Sequence, residues 1–229
     1  MNLDTDLVSN IRINLSAIER RTSTLTKRRS VKKEYQAAWL LKAISLIDLT
    51  TLSGDDTAGK VERLCEKAKR PISLDLHHLL GLSQGDIQVG AVCVYHHLIK
   101  EAKKNLPKNI PVAAVSTGFP AGLSSFKTRK LEIIESINAN LNNSLVMLRM
   151  IRHFYQMTGK KIGFKPAGGI STAKTVIEFL ILVMEELGHD WINPKYLRIG
   201  ASSLLIDIER QLHHFALGRY ANKEKLAIG

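Results

Sequence analysis

The chain has 229 residues, 45% of them apolar, and carries 33 lysine and arginine residues against 21 aspartate and glutamate residues, a formal net charge of +12. No apolar run reaches the roughly 18 residues of a membrane-spanning helix, and the first residues, which include Asp4 and Asp6, contain no hydrophobic segment typical of a signal peptide. The two cysteines, Cys65 and Cys93, form no CxxC pair, which favours a reducing compartment. These features predict a single cytoplasmic domain without a membrane partner, whose positive field attracts anionic ligands.

A basic stretch at residues 27–33, Lys-Arg-Arg-Ser-Val-Lys-Lys, holds five of the positive charges. Such a run can be a nuclear-import signal, an RNA-binding patch or the solvated face of a helix. No interleaved aromatic residues and no nucleic-acid-binding motif accompany it. We therefore predict a solvated helical face and no nucleic-acid partner, with a nuclear location as the alternative.

The first half of the chain alternates helices with short apolar strands. Residues 3–44 show helical spacing of apolar side chains, and residues 44–50 read as a strand with Asp48 close to its C-terminal end. Further on, the pattern predicts helices at 61–68 and 73–82, a buried strand at 87–95, a helix at 96–106 and a strand that begins at 111. This order, at roughly 30 residues per unit, is typical of right-handed βαβ units in a parallel sheet.

The second half breaks this alternation. Residues 124–158 have the spacing of two consecutive helices with no strand between them. A strand at 162–166, a helix at 173–187, a strand that begins at 196 and a helix at 204–217 follow. The predicted class is therefore α/β with a parallel sheet.

Two loops rich in glycine and hydroxyl groups follow the last two predicted strands, each at the start of an apolar helix. They are Gly168-Gly169-Ile170-Ser171 and Gly200-Ala201-Ser202-Ser203. Glycine lets the backbone approach an anion, and a helix N-terminus presents N–H groups to it. Paired loops of this kind are typical of the phosphate site of (β/α)₈ barrels, so we predict a phosphate site. Two plain turns are the alternative.

Three further side chains are candidates for chemistry. Lys165 ends the strand at 162–166 and either faces the phosphate site or is a surface lysine. Asp48 either caps the loop after its strand or belongs to a proton relay. Cys93 is either a core thiol or lies near a site at the end of its strand.

Several segments of the chain resemble deoxyribose-phosphate aldolases, a class I family, and especially its eukaryotic-type branch. The matching segments are 30–43, 47–57, 91–95, 117–122, 163–170, 198–203 and 207–211, and they include Gly-Phe-Lys-Pro-Ala-Gly-Gly at 163–169. The resemblance implies a TIM (β/α)₈ barrel as a single domain over 1–229, with 1–44 as an N-terminal helical extension. It also implies reversible cleavage of 2-deoxy-D-ribose 5-phosphate to D-glyceraldehyde 3-phosphate and acetaldehyde, in deoxyribonucleotide catabolism, without a metal or other cofactor.

The resemblance also implies roles for individual residues. In the family, a lysine on strand 6 forms a Schiff base, and a second lysine in the Gly-Phe-Lys-Pro-Ala-Gly-Gly motif lowers its pKa and helps to relay protons. Lys165 matches this second lysine, Asp48 and Thr50 match positions that line the strand-1 end of the pocket, and Cys93 matches a strand-2 position near the substrate. The phosphate positions are matched by Gly168, Gly169, Ser171, Gly200, Ser202 and Ser203. Ser171 departs from the arginine that the family commonly has.

Part of the family pattern has no counterpart in the chain. Five strands can be counted, near residues 46, 91, 113, 164 and 198, where a barrel has eight. About 90 residues, or three βα units, are missing near residues 131–138, and with them the family's Lys-Thr-Ser-Thr-Gly-Lys motif and its Schiff-base lysine. Because a barrel closes only when strand number and stagger agree, we predict an incomplete barrel of about five parallel strands that lacks strands 4–6.

This loss leaves two functions open. One is the family's aldolase reaction, with Lys165 as a substitute nucleophile. The other is a non-catalytic remnant that binds a phosphorylated sugar, or that pairs through its exposed strand edges with another copy as a homo-oligomer.

Overall fold

The computed structural model describes residues 13–83, 85–115, 141–222 and 226. Some predictions fall outside these residues. They are the helical spacing before residue 13, the glycine and proline loop at 118–122, the first of the two consecutive helices, and the junction near 131–138.

Four short strands form one parallel sheet: β1 (Ile47–Thr50), β2 (Ala91–Tyr95), β3 (Val112–Val115) and β4 (Ile199–Ala201). Their order across the sheet is β3-β2-β1-β4. The register places Asp48 of β1 between Ala91 of β2 and Gly200 of β4. The beginning and the end of the chain therefore meet at β1, as they do where the last strand of a barrel returns to the first.

The predicted strand at 162–166 is present only as two isolated parallel bridges beside β4. These bridges join Phe164 to Leu197 and Ala167 to Gly200. Pro166 lies between them and has no N–H group to donate to a ladder. No described strand pairs with the other side of this segment, so its regular pairing stops after single bridges.

The described helices are α1 (Leu15–Arg28), α2 (Lys33–Ile44), α3 (Ala58–Lys69), α4 (Leu74–Leu79), α5 (Ile99–Asn105), α6 (Leu141–Thr158), α7 (Ala173–Leu187) and α8 (Leu204–Leu217). Short 3₁₀ turns span His96–Leu98 and His189–Trp191. Helices α7 and α8 have the predicted bounds. Among the described residues no helix is both long enough and apolar enough to span a membrane.

Helix α7 is the central helix of the packing. Its N-cap is Thr172, whose side chain accepts a hydrogen bond from the first turn, and Gly188 ends it with a φ of 87° that favours glycine. Nine of its residues are buried, because α1, α2, α6 and α8 all pack against it. A helix covered on several sides is expected to be apolar on several sides, and α7 is.

Strand β3 differs from the other long strands in its burial. The residues of β1 and β2 are buried except for the last residue of each, whereas those of β3 are half-buried and Ala114 is exposed. Among the described strands β3 lies at the edge of the sheet, and an edge strand is expected to be less buried than a central one. The α/β class and the incomplete barrel are thus confirmed, and the described residues contain four strands and one bridged segment in place of the five predicted strands.

Candidate functional site

An ion cluster lies at the centre of the sheet, around the buried carboxylate of Asp48. One carboxylate oxygen of Asp48, Oδ2, lies 2.6 Å from Lys165 Nζ, and the other, Oδ1, lies 2.8 Å from Arg198 Nη1. Arg198 also donates from Nη1 to the carbonyl of Gly90 at 2.7 Å and from Nε to the carbonyl of Pro194. Two cations therefore share one carboxylate, and Arg198 is fixed by backbone acceptors as well as by the charge.

The sequence patterns singled out Lys165 and Asp48 but not Arg198. The sequence did contain a signal for Arg198, which lies between Leu197 and Ile199 in an apolar strand. A charged side chain inside a sheet requires a partner of opposite charge. Asp48 lies two residues before Thr50, the last residue of β1, as the pattern predicted. It does not cap the following loop, which Asp56 does instead.

Asp56 stabilises that loop through its own set of partners. Its carboxylate accepts hydrogen bonds from the Thr51 hydroxyl at 2.7 Å and from the Ser53 N–H at 3.0 Å, and it pairs with Lys60 at 2.7 Å. Burial on its own raises the pKa of Asp56, but the hydrogen bonds from Lys60, Thr51 and Ser53 outweigh it and hold the pKa below its usual value. The loop after β1 is therefore ordered without Asp48.

Thr50 and Cys93 lie side by side in the register of β1 and β2. The Thr50 hydroxyl donates to the carbonyl of Asp48 at 2.7 Å. Burial raises the pKa of the Cys93 thiol, an effect that the charge of Lys165 only partly offsets. A neutral, buried thiol is a poor nucleophile, so Cys93 can contact a ligand by shape and does not supply covalent chemistry.

The two glycine loops lie next to each other, as their positions after neighbouring strands predict. The Gly200 N–H donates to the carbonyl of Pro166 at 3.0 Å, and Gly200 pairs with Ala167 across the bridge. Gly168 and Gly169 have φ values of 85° and 73°, a backbone conformation that favours glycine. This conformation turns the chain so that one loop faces the other.

The two helix N-termini at these loops differ in their capacity for an anion. The first turn of α7 is already occupied, because the N–H of Ala173 donates to Asp207 Oδ2 at 2.7 Å and Thr172 caps the helix. At the start of α8, the N-cap Ser203 makes no capping hydrogen bond with its side chain, and both Ser202 and Ser203 are exposed. The start of α8 is therefore the better place for a phosphate group.

A cavity of about 1340 Å³ opens in front of these groups. Its lining includes seven of the predicted site residues: Thr50, Cys93, Lys165, Gly168, Gly200, Ser202 and Ser203. Gly169, Ser171 and Asp48 do not line the cavity. Asp48 affects the charge at the cavity wall through its ion pairs with Lys165 and Arg198, which do line it. The opposite wall is apolar and comes from Val146, Met147, Met150 and Ile151 of α6.

Over the described ranges, no group of three histidine, cysteine, aspartate or glutamate side chains is placed to hold a metal ion.

Replacing Gly200 by alanine is expected to separate the two loops. A Cβ at this position would lie 2.8 Å from the Cβ of Ala167, closer than van der Waals contact permits. We expect the free energy of unfolding to fall by about 2 kcal/mol, the usual cost of overpacking, in urea denaturation. Gly54→Ala is the matched control, because its Cβ would meet no atom within 4 Å. Equal urea midpoints for both variants would show that the loops are not in contact.

The fold and the site together define a class of protein. A parallel α/β sheet that presents an amine, a carboxylate and two glycine loops around one cavity is a site of the kind that (β/α) barrels use for phosphorylated small molecules.

Comparisons with known proteins identify the family. The chain is 40% identical to deoxyribose-phosphate aldolase from Mus musculus and 40% identical to that from Homo sapiens, in both cases over 96% of this chain and 95% of the relative. It is 38% identical to the Bos taurus protein of the same name, with the same coverage. No family model matches the chain. The chain belongs to the deoxyribose-phosphate aldolase family.

The same alignments show where the chain departs from its relatives. They run over 301 positions, more than the 229 residues that the chain contains, so the relatives carry residues in this span that the chain lacks. The solved structure of a candidate deoxyribose-phosphate aldolase from Coccidioides immitis is 16% identical over 90% of this chain and 70% of that one, with a TM-score of 0.30, and we draw nothing from it.

Proposed function

We propose that this cavity binds 2-deoxy-D-ribose 5-phosphate, the sugar phosphate of the family's reaction, and that the chain holds this ligand without efficient turnover. The observation that carries the proposal is the placement of Lys165 and the two glycine loops around one cavity. Membership of the family identifies the phosphorylated sugar. This function would place the protein in the cytoplasm and assign it to deoxyribonucleotide catabolism.

The phosphate would lie at the start of α8. Ser202 and Ser203 are exposed and offer hydroxyl donors there, next to the N-terminus of α8. The other end of the sugar would then point towards Lys165, whose ammonium group can donate to its oxygen atoms.

The family's retro-aldol reaction is the second candidate, and the amine of Lys165 on the cavity wall favours it. In that reaction the neutral amine attacks the C1 aldehyde and releases water to give an imine. A base removes the C3 hydroxyl proton, and the C2–C3 bond breaks, so that its electrons form an enamine and glyceraldehyde 3-phosphate leaves. A proton returned to C2 and water added to the imine release acetaldehyde and restore the amine.

Two observations favour binding over turnover. Lys165 Nζ lies 2.6 Å from Asp48 Oδ2, so this contact must be broken before the amine can attack a carbonyl. The sequence also contains no Lys-Thr-Ser-Thr-Gly-Lys motif, and thus no counterpart of the family's Schiff-base lysine. In this chain, Lys165 is better suited to bind an oxygen atom than to form an imine.

Borohydride trapping separates the two candidates. The chain is incubated with 2-deoxyribose 5-phosphate and sodium borohydride, the intact mass is measured, and binding is followed in parallel by calorimetry. We expect heat of binding and no covalent adduct, because the reductant traps only an imine. Lys165→Met should abolish the heat, and Lys195→Met, which changes another cavity lysine, should retain it.

Each other outcome contradicts part of the proposal. An adduct that maps to Lys165 and is lost in Lys165→Met would establish the aldolase reaction in place of simple binding. A folded chain that gives neither heat nor adduct would show that the cavity does not bind this sugar phosphate.

A further inference from the structure

A second basic cluster lies far from the candidate site, at the C-terminal end of α7. It consists of five arginines around two adjacent carboxylates: Arg21, Arg28, Arg29, Arg149, Arg152, Glu185 and Glu186. The phosphate loops are at the other end of α7, and a helix of 15 residues is about 22 Å long. None of these seven residues lines the cavity, so the cluster, which we call the arginine cluster, is distinct from the candidate site.

The two glutamates account for only part of this positive charge. Glu186 is buried and pairs with Arg21 and Arg152, both at 2.8 Å. Glu185 pairs with Arg29 at 3.0 Å and with Arg21 at 3.2 Å. Five guanidinium groups against two carboxylates leave a local excess of three positive charges.

Arg28 and Arg149, whose side chains are each 39% exposed, lie further from their glutamates. Arg28 lies 3.6 Å from Glu185, and Arg149 lies 3.6 Å from Glu186. The buried Nε of Arg149 has no hydrogen-bond partner. The side chain of Arg29 is 64% exposed. Arg28 already donates from Nε to the Thr24 hydroxyl at 3.2 Å and from Nη2 to the carbonyl of Arg21 at 3.3 Å. Because each guanidinium has five N–H donors, Arg28 and Arg29 still retain donors for a ligand.

The cluster includes two of the five basic residues of the stretch at 27–33. Arg28 and Arg29 are exposed, as the predicted solvated face requires, and they also pair with Glu185 of α7. Arg149 and Arg152 come from α6, more than a hundred residues later in the chain. The fold therefore brings two separate basic segments to one surface.

We propose that the arginine cluster is a binding site for an oligophosphate group, such as the phosphate chain of a nucleoside triphosphate. Guanidinium groups bind phosphate oxygens through paired, charge-assisted hydrogen bonds, and several of them converge here. The excess of three positive charges suits a chain of phosphates better than a single one. Such a ligand would contact α1 and α6 together.

Calorimetric titration with inorganic tripolyphosphate tests the proposal. We expect the wild-type chain to bind it and the double variant Arg28→Gln/Arg29→Gln to bind at least about tenfold more weakly, a loss typical of removing charge-assisted contacts. The matched control is Lys103→Gln/Lys104→Gln on α5, which removes two exposed charges elsewhere and should change the affinity less than about twofold. Saturating 2-deoxyribose 5-phosphate should not displace tripolyphosphate from the wild-type chain.

The same titration can overturn the proposal. Equal affinities for the wild-type chain and the Arg28→Gln/Arg29→Gln variant, or displacement by the sugar phosphate, would place tripolyphosphate at the phosphate loops instead. If circular dichroism shows that this double variant is unfolded, Arg149→Gln provides the test, because Arg149 makes no short ion pair. It too should weaken the binding of tripolyphosphate, and unchanged affinity would refute the site.

Discussion

Replacing Asp48 by asparagine is expected to lower the free energy of unfolding by about 3 kcal/mol, the low end of what removal of one partner from a buried ion pair costs. The carboxylate is 2% exposed and is the shared partner of Lys165 and Arg198. Asparagine keeps the shape but leaves the two cations close together without a counter-charge. Urea denaturation followed by circular dichroism measures the change.

Two further variants make this result specific. Asp55→Asn removes an exposed carboxylate nearby and should change the free energy of unfolding by less than about 0.5 kcal/mol. Arg198→Met should cost less in the Asp48→Asn background than in the wild-type chain, because the charge that it removes is already unpaired there. Additive effects of the two changes would show that Asp48 and Arg198 do not act as a pair.

Replacing Glu186 by glutamine is expected to lower the free energy of unfolding by about 2 kcal/mol, because it removes the buried carboxylate that links α1 and α6 to α7. Arg21 and Arg152 would then face each other without their shared partner. These two guanidinium groups are 32% and 43% exposed, so water screens them and the expected loss lies below that of a fully buried ion pair. Urea denaturation again gives the measurement.

Glu178→Gln is the control on the same helix. Burial raises the pKa of Glu178, and Lys174 offsets the effect only in part. A raised carboxyl pKa in the folded state means that ionisation at neutral pH opposes folding, so an amide at this position should not reduce stability. A loss in Glu178→Gln as large as that in Glu186→Gln would mean that general packing of α7, and not the ion pairs, causes both.

Much of the architecture could be predicted from periodicity. Helices α7 and α8 have the predicted bounds because each has a clear apolar pattern and a residue that ends it, Gly188 and Gly218. Four of the five predicted strands are present, since short β-branched runs in a parallel sheet are easy to recognise. The segment at 162–166 differs because Pro166 limits its pairing and no described strand adjoins its other side.

The sequence by itself determined the α/β class, the two glycine loops and the lysine beside them, because local patterns of apolar, glycine and hydroxyl residues specify strands, turns and helix starts. Only the tertiary structure decided that Arg198 pairs with Asp48, that Asp207 occupies the start of α7, and that arginines of α1 and α6 meet at Glu186. These contacts join residues far apart in the chain. Their partners are selected by charge and geometry in three dimensions, for which no spacing along the sequence gives a signal.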